Sequence, residues 1–143
     1  MTTESNPEVV ELAFPASSRF VRLSRLAAAT LASELGFDVE EVDDLRIAVD
    51  ELVTFLVEGD HGAITSLRFV TGPDEIVVEG RCDGARPSDA GLSDLVEAIV
   101  SATTDEYAVD TTNGSRAFRI VKHRRTTPPV TGSATDGAGA DLV

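Results

Sequence analysis

The chain has 143 residues, of which 42% are hydrophobic, and these values suit one globular domain rather than a disordered chain. Its 25 acidic and 12 basic residues give a formal net charge of −13, which argues against sequence-independent nucleic-acid binding and against attachment to an anionic membrane surface. With one cysteine, no signal-peptide pattern and no apolar run of roughly 20 residues, the sequence predicts a cytoplasmic protein without an intrachain disulfide or a membrane span.

The first part of the chain predicts a strand followed by a helix. Residues 1–7 are polar and are expected to be flexible, and residues 9–13 predict the first strand. Ser17 or Ser18 is then expected to cap the first helix. Apolar residues follow at helical spacing: Phe20, Leu23, Ala27, Leu31 and Leu35.

A second helix is predicted to begin at Asp38, because Glu41 three residues later completes a capping-box pattern. The apolar stripe of this helix is Val42, Leu45, Val49, Leu52 and Leu56. The helix also carries Glu51 and, four residues later, Phe55. These two side chains are therefore expected to be neighbours on one helical face.

The rest of the chain predicts two pairs of strands. Residues 64–70 and 75–82 are typical of a hairpin, with a short polar connection between them. Residues 107–110 and 115–123 predict a second pair, joined through Asn113 and Gly114, which are a strong signal for a tight turn.

A third helix is predicted between these pairs from the residues Leu92, Leu95, Val96, Ile99 and Val100. Residues 126–143 are rich in Gly, Ala, Ser and Thr and are expected to be disordered, which leaves residues 8–125 as the folded domain. The order β, α, α, β, β, α, β, β predicts an α+β two-layer sandwich. A mostly antiparallel sheet would be covered by helices on one face.

Residues 42–54, Val-Asp-Asp-Leu-Arg-Ile-Ala-Val-Asp-Glu-Leu-Val-Thr, closely resemble the N-box helix of the anti-sigma-factor serine kinases, a branch of the GHKL ATPases. The order of elements matches that family over roughly residues 8–124. Gly91-Leu92 is similar to the start of the family's lid-helix segment, and Phe-Arg-Ile-Val-Lys at 118–122 is similar to its closing strand. The resemblance implies a homodimer that binds an alternative sigma factor and an anti-anti-sigma antagonist.

The resemblance also implies which residues would serve the nucleotide. Glu51 stands at the position of the family's general base. Phe55 replaces the Asn that binds the magnesium of ATP, and a phenyl ring offers no oxygen to Mg²⁺. In the lid segment Gly91 is retained, and Ser93 stands where the second glycine is expected.

The family's Asp-x-Gly-x-Gly motif, whose Asp binds adenine, corresponds to residues 82–86, Cys-Asp-Gly-Ala-Arg. In one register Cys82 takes the place of the Asp and Arg86 that of the second glycine. A shift by one residue restores Asp83 but misplaces Gly84, and it turns the side chains to the other face of the strand. Asp83, Gly84 and Gly91 are therefore candidate nucleotide-binding positions.

These departures predict an anti-sigma-like regulator that binds a sigma factor, its antagonist or both, with lost or weak ATP binding and no Mg²⁺ site. The first alternative is an active serine/threonine kinase that phosphorylates the anti-anti-sigma factor, with Arg86 neutralising phosphate charge. The second alternative is a dimerisation or scaffold module without a sigma partner.

Each singled-out residue also has a plain structural interpretation. Glu51 can be a solvated helix residue, Phe55 an ordinary core residue and Cys82 a small buried hydrophobe. His61 and His123 lack a second ligand at helical or hairpin spacing, so no metal site is expected.

Two charged clusters complete the sequence-based hypotheses. One is acidic and is a candidate surface for a basic sigma-factor region: Asp38, Glu40, Glu41, Asp43 and Asp44. The other is basic: Arg116, Arg119, Lys122, Arg124 and Arg125. It could hold a phosphate or an acidic partner, or it could protect an edge strand by charge.

Overall fold

The computed structural model describes residues 6–59, 62–84 and 90–125. Along these ranges lie five strands, three α-helices and a short 3₁₀ turn. In chain order they are β1 Glu8–Pro15, the 3₁₀ turn Ser18–Phe20, α1 Val21–Glu34, α2 Val39–Val57, β2 Ile64–Thr71, β3 Glu75–Asp83, α3 Asp94–Thr103, β4 Glu106–Thr112 and β5 Ser115–His123.

The five strands form one antiparallel sheet in the order β1-β2-β3-β5-β4. The turn between β4 and β5 follows the sequence prediction, with φ of 53° at Asn113 and 82° at Gly114, conformations that these two residue types accept readily. The last strand, β5, lies between β3 and β4. The interpretation of β5 as a charge-protected edge is therefore wrong, because both of its sides are hydrogen-bonded.

The helices cover one face of the sheet, and the predicted two-layer α+β architecture is confirmed. Strand alternation turns Ile76, Val78, Gly80 and Cys82 of β3 toward the helices, where all four are buried. Gly80 is required there, since a Cβ would clash with the Phe118 ring and would lie 2.9 Å from Leu56 Cδ1. This close approach seats the second half of α2 on the centre of the sheet.

The opposite face of the sheet is polar. Four side chains form a row of alternating charge across β1, β2, β3 and β5: Glu11, Arg68, Glu79 and Arg119. The nitrogen–oxygen distances along this row are 3.8, 3.3 and 3.7 Å. Opposite charges on directly neighbouring strands support the register of the sheet.

The predicted start of α2 is confirmed. Asp38 accepts the backbone N–H of Glu41 at 2.7 Å, and Glu41 accepts the backbone N–H of Asp38 at 2.8 Å, which is a complete capping box. Most of the predicted α2 stripe is fully buried, although Val42 is only partly covered. This central helix packs against α1, α3, β3 and β5.

The predictions for α1 are wrong in two respects. The helix begins at Val21, after a 3₁₀ turn, and Ser17 makes no side-chain capping bond. Its fully buried positions are Val21, Ser24, Ala28 and Ala32, and the predicted stripe packs only partly buried beside them, except for Leu23, which is 47% exposed. Small side chains at the contact let α1 approach α2 closely, so the larger Leu23 and Leu26 point outward.

The helix α3 begins at Asp94 and is capped by the hydroxyl of Ser93, which accepts the N–H of Val96 at 3.2 Å. Leu92 therefore precedes the helix, and Leu95, a member of the predicted stripe, is exposed. Only Val100 and Thr103 of this helix are buried, because α3 lies at the margin of the helical layer. Within the described ranges, no helix combines the length and apolarity that a membrane crossing requires.

Candidate active site: the C-terminal end of α2

The residues singled out from the sequence meet at one end of the sandwich. The C-terminal half of α2 carries Glu51 and Phe55, and β3 ends beneath it at Asp83. Opposite the end of β3 lies the start of β5, with Cys82 paired to Arg116 across the two strands. The segment that leads into α3 completes the site.

Helical spacing places Glu51 and Phe55 one turn apart on α2. Glu51 is half-buried. Phe55 is 8% exposed and belongs to the hydrophobic core. The position at which the resemblance implies a magnesium-binding amide is thus occupied here by a buried aromatic ring.

Arg116, which the sequence placed only in a basic cluster, is bonded to this site. Its guanidinium carbon lies 4.2 Å from the centre of the Phe55 ring, which is a cation–π contact. Its Nη1 donates to the carbonyl oxygen of Phe55 at 2.8 Å and to the carboxylate of Glu58 at 2.5 Å. Its Nη2 donates to the carbonyl oxygen of Ala90 at 3.4 Å.

These contacts satisfy an electrostatic requirement of α2. The last carbonyl groups of a helix lack intrahelical donors and carry partial negative charge, so a cation is favourable there. The last turn of α2 contains no basic residue of its own. Arg116 supplies that charge from β5, 61 residues further along the chain than Phe55.

The Arg116 side chain is almost completely buried, unlike that of its acidic partner. Only 8% of its side chain is exposed, whereas its partner Glu58 is 66% exposed. Its Nε atom is buried and has no hydrogen-bond partner among the described residues. A buried charge of this kind needs its remaining partners, because desolvation of a guanidinium is costly.

Cys82 and Asp83 lie on opposite faces of the sheet. Cys82 is buried beneath the helices, where its sulfur accepts the Thr65 hydroxyl at 3.4 Å. Asp83 is exposed on the other face, and the hydroxyl of Ser115 donates to it at 2.8 Å. This bond, together with a bond from Arg81, holds the pKa of Asp83 below its ordinary value. The structure brings Cys82, not Asp83, to the side of Glu51 and Phe55.

The remaining candidate positions are at the margin of the site. Gly84 follows β3 and is half-buried, and Gly91 is exposed before α3. Arg86 and His61 lie outside the described residues. Arg116 could have been identified from strand alternation, since it shares the inward face of β5 with Phe118 and Ile120.

The side chain at position 55 does not fit the role of a magnesium ligand. Mg²⁺ requires oxygen ligands in nearly octahedral geometry, and Phe55 offers none. The guanidinium of Arg116, paired with Glu58, lies 4.2 Å from the centre of that ring, so a cationic group of the protein already stands beside this position. In the described ranges, no group of three or more His, Cys, Asp or Glu side chains is arranged to hold a metal ion.

The hypothesis of a single basic patch is wrong. Arg116 and Lys122 face the helices, where Lys122 pairs with Asp44 at 3.4 Å, whereas Arg119 lies on the opposite face of the sheet. Arg124 pairs with Asp74 at 2.8 Å. The alternation of β5 separates these residues, and each one has an acidic partner.

The acidic cluster at the start of α2 is partly balanced within the chain. Glu41 is 2% exposed and accepts the backbone N–H of Arg125 at 2.6 Å. The guanidinium of Arg125 lies 3.2 Å from carboxylate oxygens of both Asp38 and Glu40. Asp43 pairs with Arg46 at 2.9 Å. These carboxylates form intramolecular contacts, while the side chains of Asp38, Glu40 and Asp43 remain 54%, 78% and 51% exposed.

A different surface stands out on α1 and the turn before it. Arg19 and Arg22 are exposed there, next to Leu23 and Leu26, which are 47% and 50% exposed. We call these four residues the α1 face. The first acidic residue of α1 is Glu34, at its C-terminal end. The α1 face is therefore basic and apolar in a chain whose net charge is −13.

Comparison with known proteins identifies relatives of this chain, although no family model matches it. It is 32% identical over 111 residues to the serine-protein kinase RsbW of Bacillus subtilis, a match that covers 73% of this chain and 69% of the relative. For RsbW of Bacillus pumilus the identity is 31% over 110 residues, covering 71% and 67%. For RsbW of Halalkalibacterium halodurans it is 37% over 76 residues, which is 50% of this chain but only 47% of that protein.

A solved structure shows the same fold. The chain resembles the crystal structure of the RsbU and RsbW domains of Rv1364c from Mycobacterium tuberculosis with a TM-score of 0.63. The match covers 84% of this chain and 34% of that one at 15% identity, so it supports the fold alone. Together with the sequence relatives, it shows that the chain belongs to the RsbW family of anti-sigma-factor serine kinases, within the GHKL class.

Proposed function

We propose that this chain is a cytoplasmic regulator of transcription that acts by binding a sigma factor, an anti-anti-sigma antagonist or both, without efficient phosphoryl transfer. The observation that carries the proposal is the contact between Phe55 and Arg116. A buried ring and the protein's own cation take up the position at which the family resemblance implies a magnesium ligand.

The physical argument concerns positioning. Phosphoryl transfer depends on metal ions and cationic groups that hold the phosphates in line with the acceptor. At this site Phe55 supplies no metal ligand, and Arg116 is already bonded to Glu58 and to the Phe55 carbonyl. Glu51 could still accept a proton from a hydroxyl, but a base without a positioned nucleotide gives little catalysis.

The α1 face is the surface that we assign to the protein partner. Exposed leucines beside arginines favour a partner segment that is acidic and has an apolar side, through burial of the leucines and complementary charge. We assign the partner to this face in preference to the acidic cluster at the start of α2, because basic residues of the chain partly balance that cluster.

The experiment is affinity capture from the native host with three baits: the wild type, Leu23→Asp/Leu26→Asp and Leu95→Asp. Leu95 is an exposed leucine on α3, at 72%, and serves as the control. We expect the wild type and Leu95→Asp to recover a sigma factor or an anti-anti-sigma protein, and the double variant to lose it. Recovery of neither class by the wild type would refute the proposed function.

One observation favours a second candidate, an active serine/threonine kinase. Glu51, at the position of the general base, is retained and half-buried on α2. Incubation of the wild type and Glu51→Gln with radiolabelled Mg–ATP and the captured antagonist distinguishes the kinase from a regulator that only binds its partners. Label transfer by the wild type that disappears in Glu51→Gln would establish the kinase. The family resemblance also implies a homodimer, which sedimentation equilibrium measures directly.

A further inference from the structure

One buried side chain contacts two segments that are distant in sequence. Arg116 donates to the carbonyl oxygen of Phe55 in the last turn of α2, and also to that of Ala90, shortly before the N-cap of α3 at Ser93. The carboxylate of Glu58, just beyond α2, balances its charge. The end of α2 and the approach to α3 are therefore joined through one guanidinium.

We propose that Arg116 is a built-in clamp that fixes the approach to α3 against the end of α2 without any bound ligand. The inference rests on the proposed function, in which no nucleotide occupies this site. Its consequence is regulatory. If the protein's own cation holds this region in one arrangement, a change of bound nucleotide cannot alter it, and two partners would exchange by direct competition.

The chemistry of arginine explains why this residue type is needed. A guanidinium is planar, so it can stack on the Phe55 ring while its edge donates in several directions. Here that edge reaches two carbonyl oxygens and one carboxylate. A lysine ammonium is a compact charge that cannot stack on the ring and span the same three acceptors.

Burial supports the clamp over an ordinary surface ion pair. The Arg116 side chain is 8% exposed, and its Nε is without a hydrogen-bond partner among the described residues. An unpaired buried donor is unfavourable, so the remaining contacts must outweigh it. Arg119, two residues along the same strand, shows the contrast: its side chain is 51% exposed and lies 3.7 Å from Glu79 on the polar face.

Hydrogen exchange of the free protein tests the clamp. We would compare the wild type with Arg116→Ala, Arg116→Lys and the matched control Arg119→Ala. In Arg116→Ala we expect amides of residues 54–59 and 90–96 to exchange at least tenfold faster, while the amides of β2 and β3 change less than twofold. Arg116→Lys should resemble Arg116→Ala, and Arg119→Ala should stay within twofold of the wild type throughout.

Unchanged exchange at residues 90–96 in Arg116→Ala would overturn the clamp, and so would an equal increase across the whole sheet. If Arg116→Ala does not fold, Arg116→Lys and Phe55→Leu decide by the same criterion, since each keeps most of the side-chain volume. Repeating the wild-type measurement with Mg–ATP separates the two proposals. Slower exchange at residues 90–96 with Mg–ATP would refute the proposed loss of nucleotide binding, and the variant comparison would still test the clamp.

Discussion

The two ends of α2 are each bound by an arginine from the C-terminal part of the chain, but in different environments. At the N-terminal end, Arg125 pairs with Asp38, Glu40 and Glu41, and its side chain is 59% exposed. At the C-terminal end, Arg116 is 8% exposed and stacks on Phe55. Water can replace much of the first set of contacts but little of the second.

This difference indicates that the N-terminal end of α2 is stabilised by several contacts, whereas the C-terminal end depends on one buried arginine. The N-terminal end has a complete capping box that does not require Arg125, because Asp38 and Glu41 bond each other's backbone. The C-terminal end has no basic residue in its last turn and depends on a distant strand for a cation. We therefore expect substitutions at the C-terminal end to have the larger effects.

The largest effect is expected for Phe55→Ala. Removing a buried phenyl ring leaves a cavity and also leaves the Arg116 guanidinium without its stacking partner. We expect a loss of roughly 3–5 kcal/mol in the free energy of unfolding, measured by urea denaturation. At the N-terminal end, Val39→Ala removes an exposed side chain and should cost less than about 0.5 kcal/mol. Similar losses of unfolding free energy for Phe55→Ala and Val39→Ala would contradict the expectation that the C-terminal end of α2 is the more sensitive one.

Gly80→Ala tests how closely the second half of α2 approaches the sheet. The new Cβ would lie 2.9 Å from Leu56 Cδ1 and would clash with the Phe118 ring, so side chains in the core must shift. Overpacking of this kind costs about 1–3 kcal/mol of unfolding free energy. Gly72→Ala is the matched control, because its Cβ would meet the side chain of Glu75 at an ordinary 3.7 Å. If Gly80→Ala and Gly72→Ala both unfolded with the free energy of the wild type, the close packing of α2 against the sheet at Gly80 would be contradicted.

Arg116→Ala and Arg125→Ala compare the two arginines directly. Truncation of Arg116 leaves a buried carbonyl oxygen of Phe55 without its donor, which costs about 1–3 kcal/mol. The Arg125 contacts are exposed and screened, so a smaller loss is expected. Chemical denaturation at low and high salt measures both. A larger loss of unfolding free energy for Arg125→Ala than for Arg116→Ala would contradict the expectation that the buried arginine contributes more.

The smallest effect concerns pH at the N-terminal end. The backbone N–H of Glu41, assisted by Arg125, holds the pKa of Asp38 below its ordinary value of 3.8. A lowered folded-state pKa means that Asp38 stabilises the fold fully above the unfolded-state pKa and loses this contribution as the pH falls through the folded-state value. Asp38→Asn keeps a good N-cap but does not titrate. We expect its urea midpoint to fall less steeply than that of the wild type as the pH is lowered from about 5 to 3.

Local sequence signals predicted the parts of the fold that depend on neighbours in the chain. The capping box at Asp38 and Glu41 and the tight turn at Asn113 and Gly114 both follow from residues within three positions of each other. Cys82 is buried, as its interpretation as a small buried hydrophobe predicts. The resemblance of residues 42–54 to the N-box helix is what directs attention to the candidate site on α2.

Contacts between distant segments could not be predicted in this way. The buried face of α1 is set by how closely α2 approaches, which favoured Ser24 and Ala28 over the larger Leu23 at the seam. Likewise, nothing within one turn of Phe55 indicates that Arg116 covers it. The basic residues of β5 formed one cluster in sequence, but alternation placed Arg116 and Arg119 on opposite faces of the sheet.

The central claim is that the C-terminal end of α2 holds the protein's own cation in place of a magnesium–nucleotide complex. Isothermal titration of the wild type and of Phe55→Asn with Mg–ATP tests it most directly. We predict no binding tighter than roughly 100 μM, or about 5.5 kcal/mol, for either protein, because Arg116 and Cys82 remain in place when Phe55 is changed. Wild-type binding tighter than that value would contradict the claim, and tight binding by Phe55→Asn alone would show that the ring is the single block.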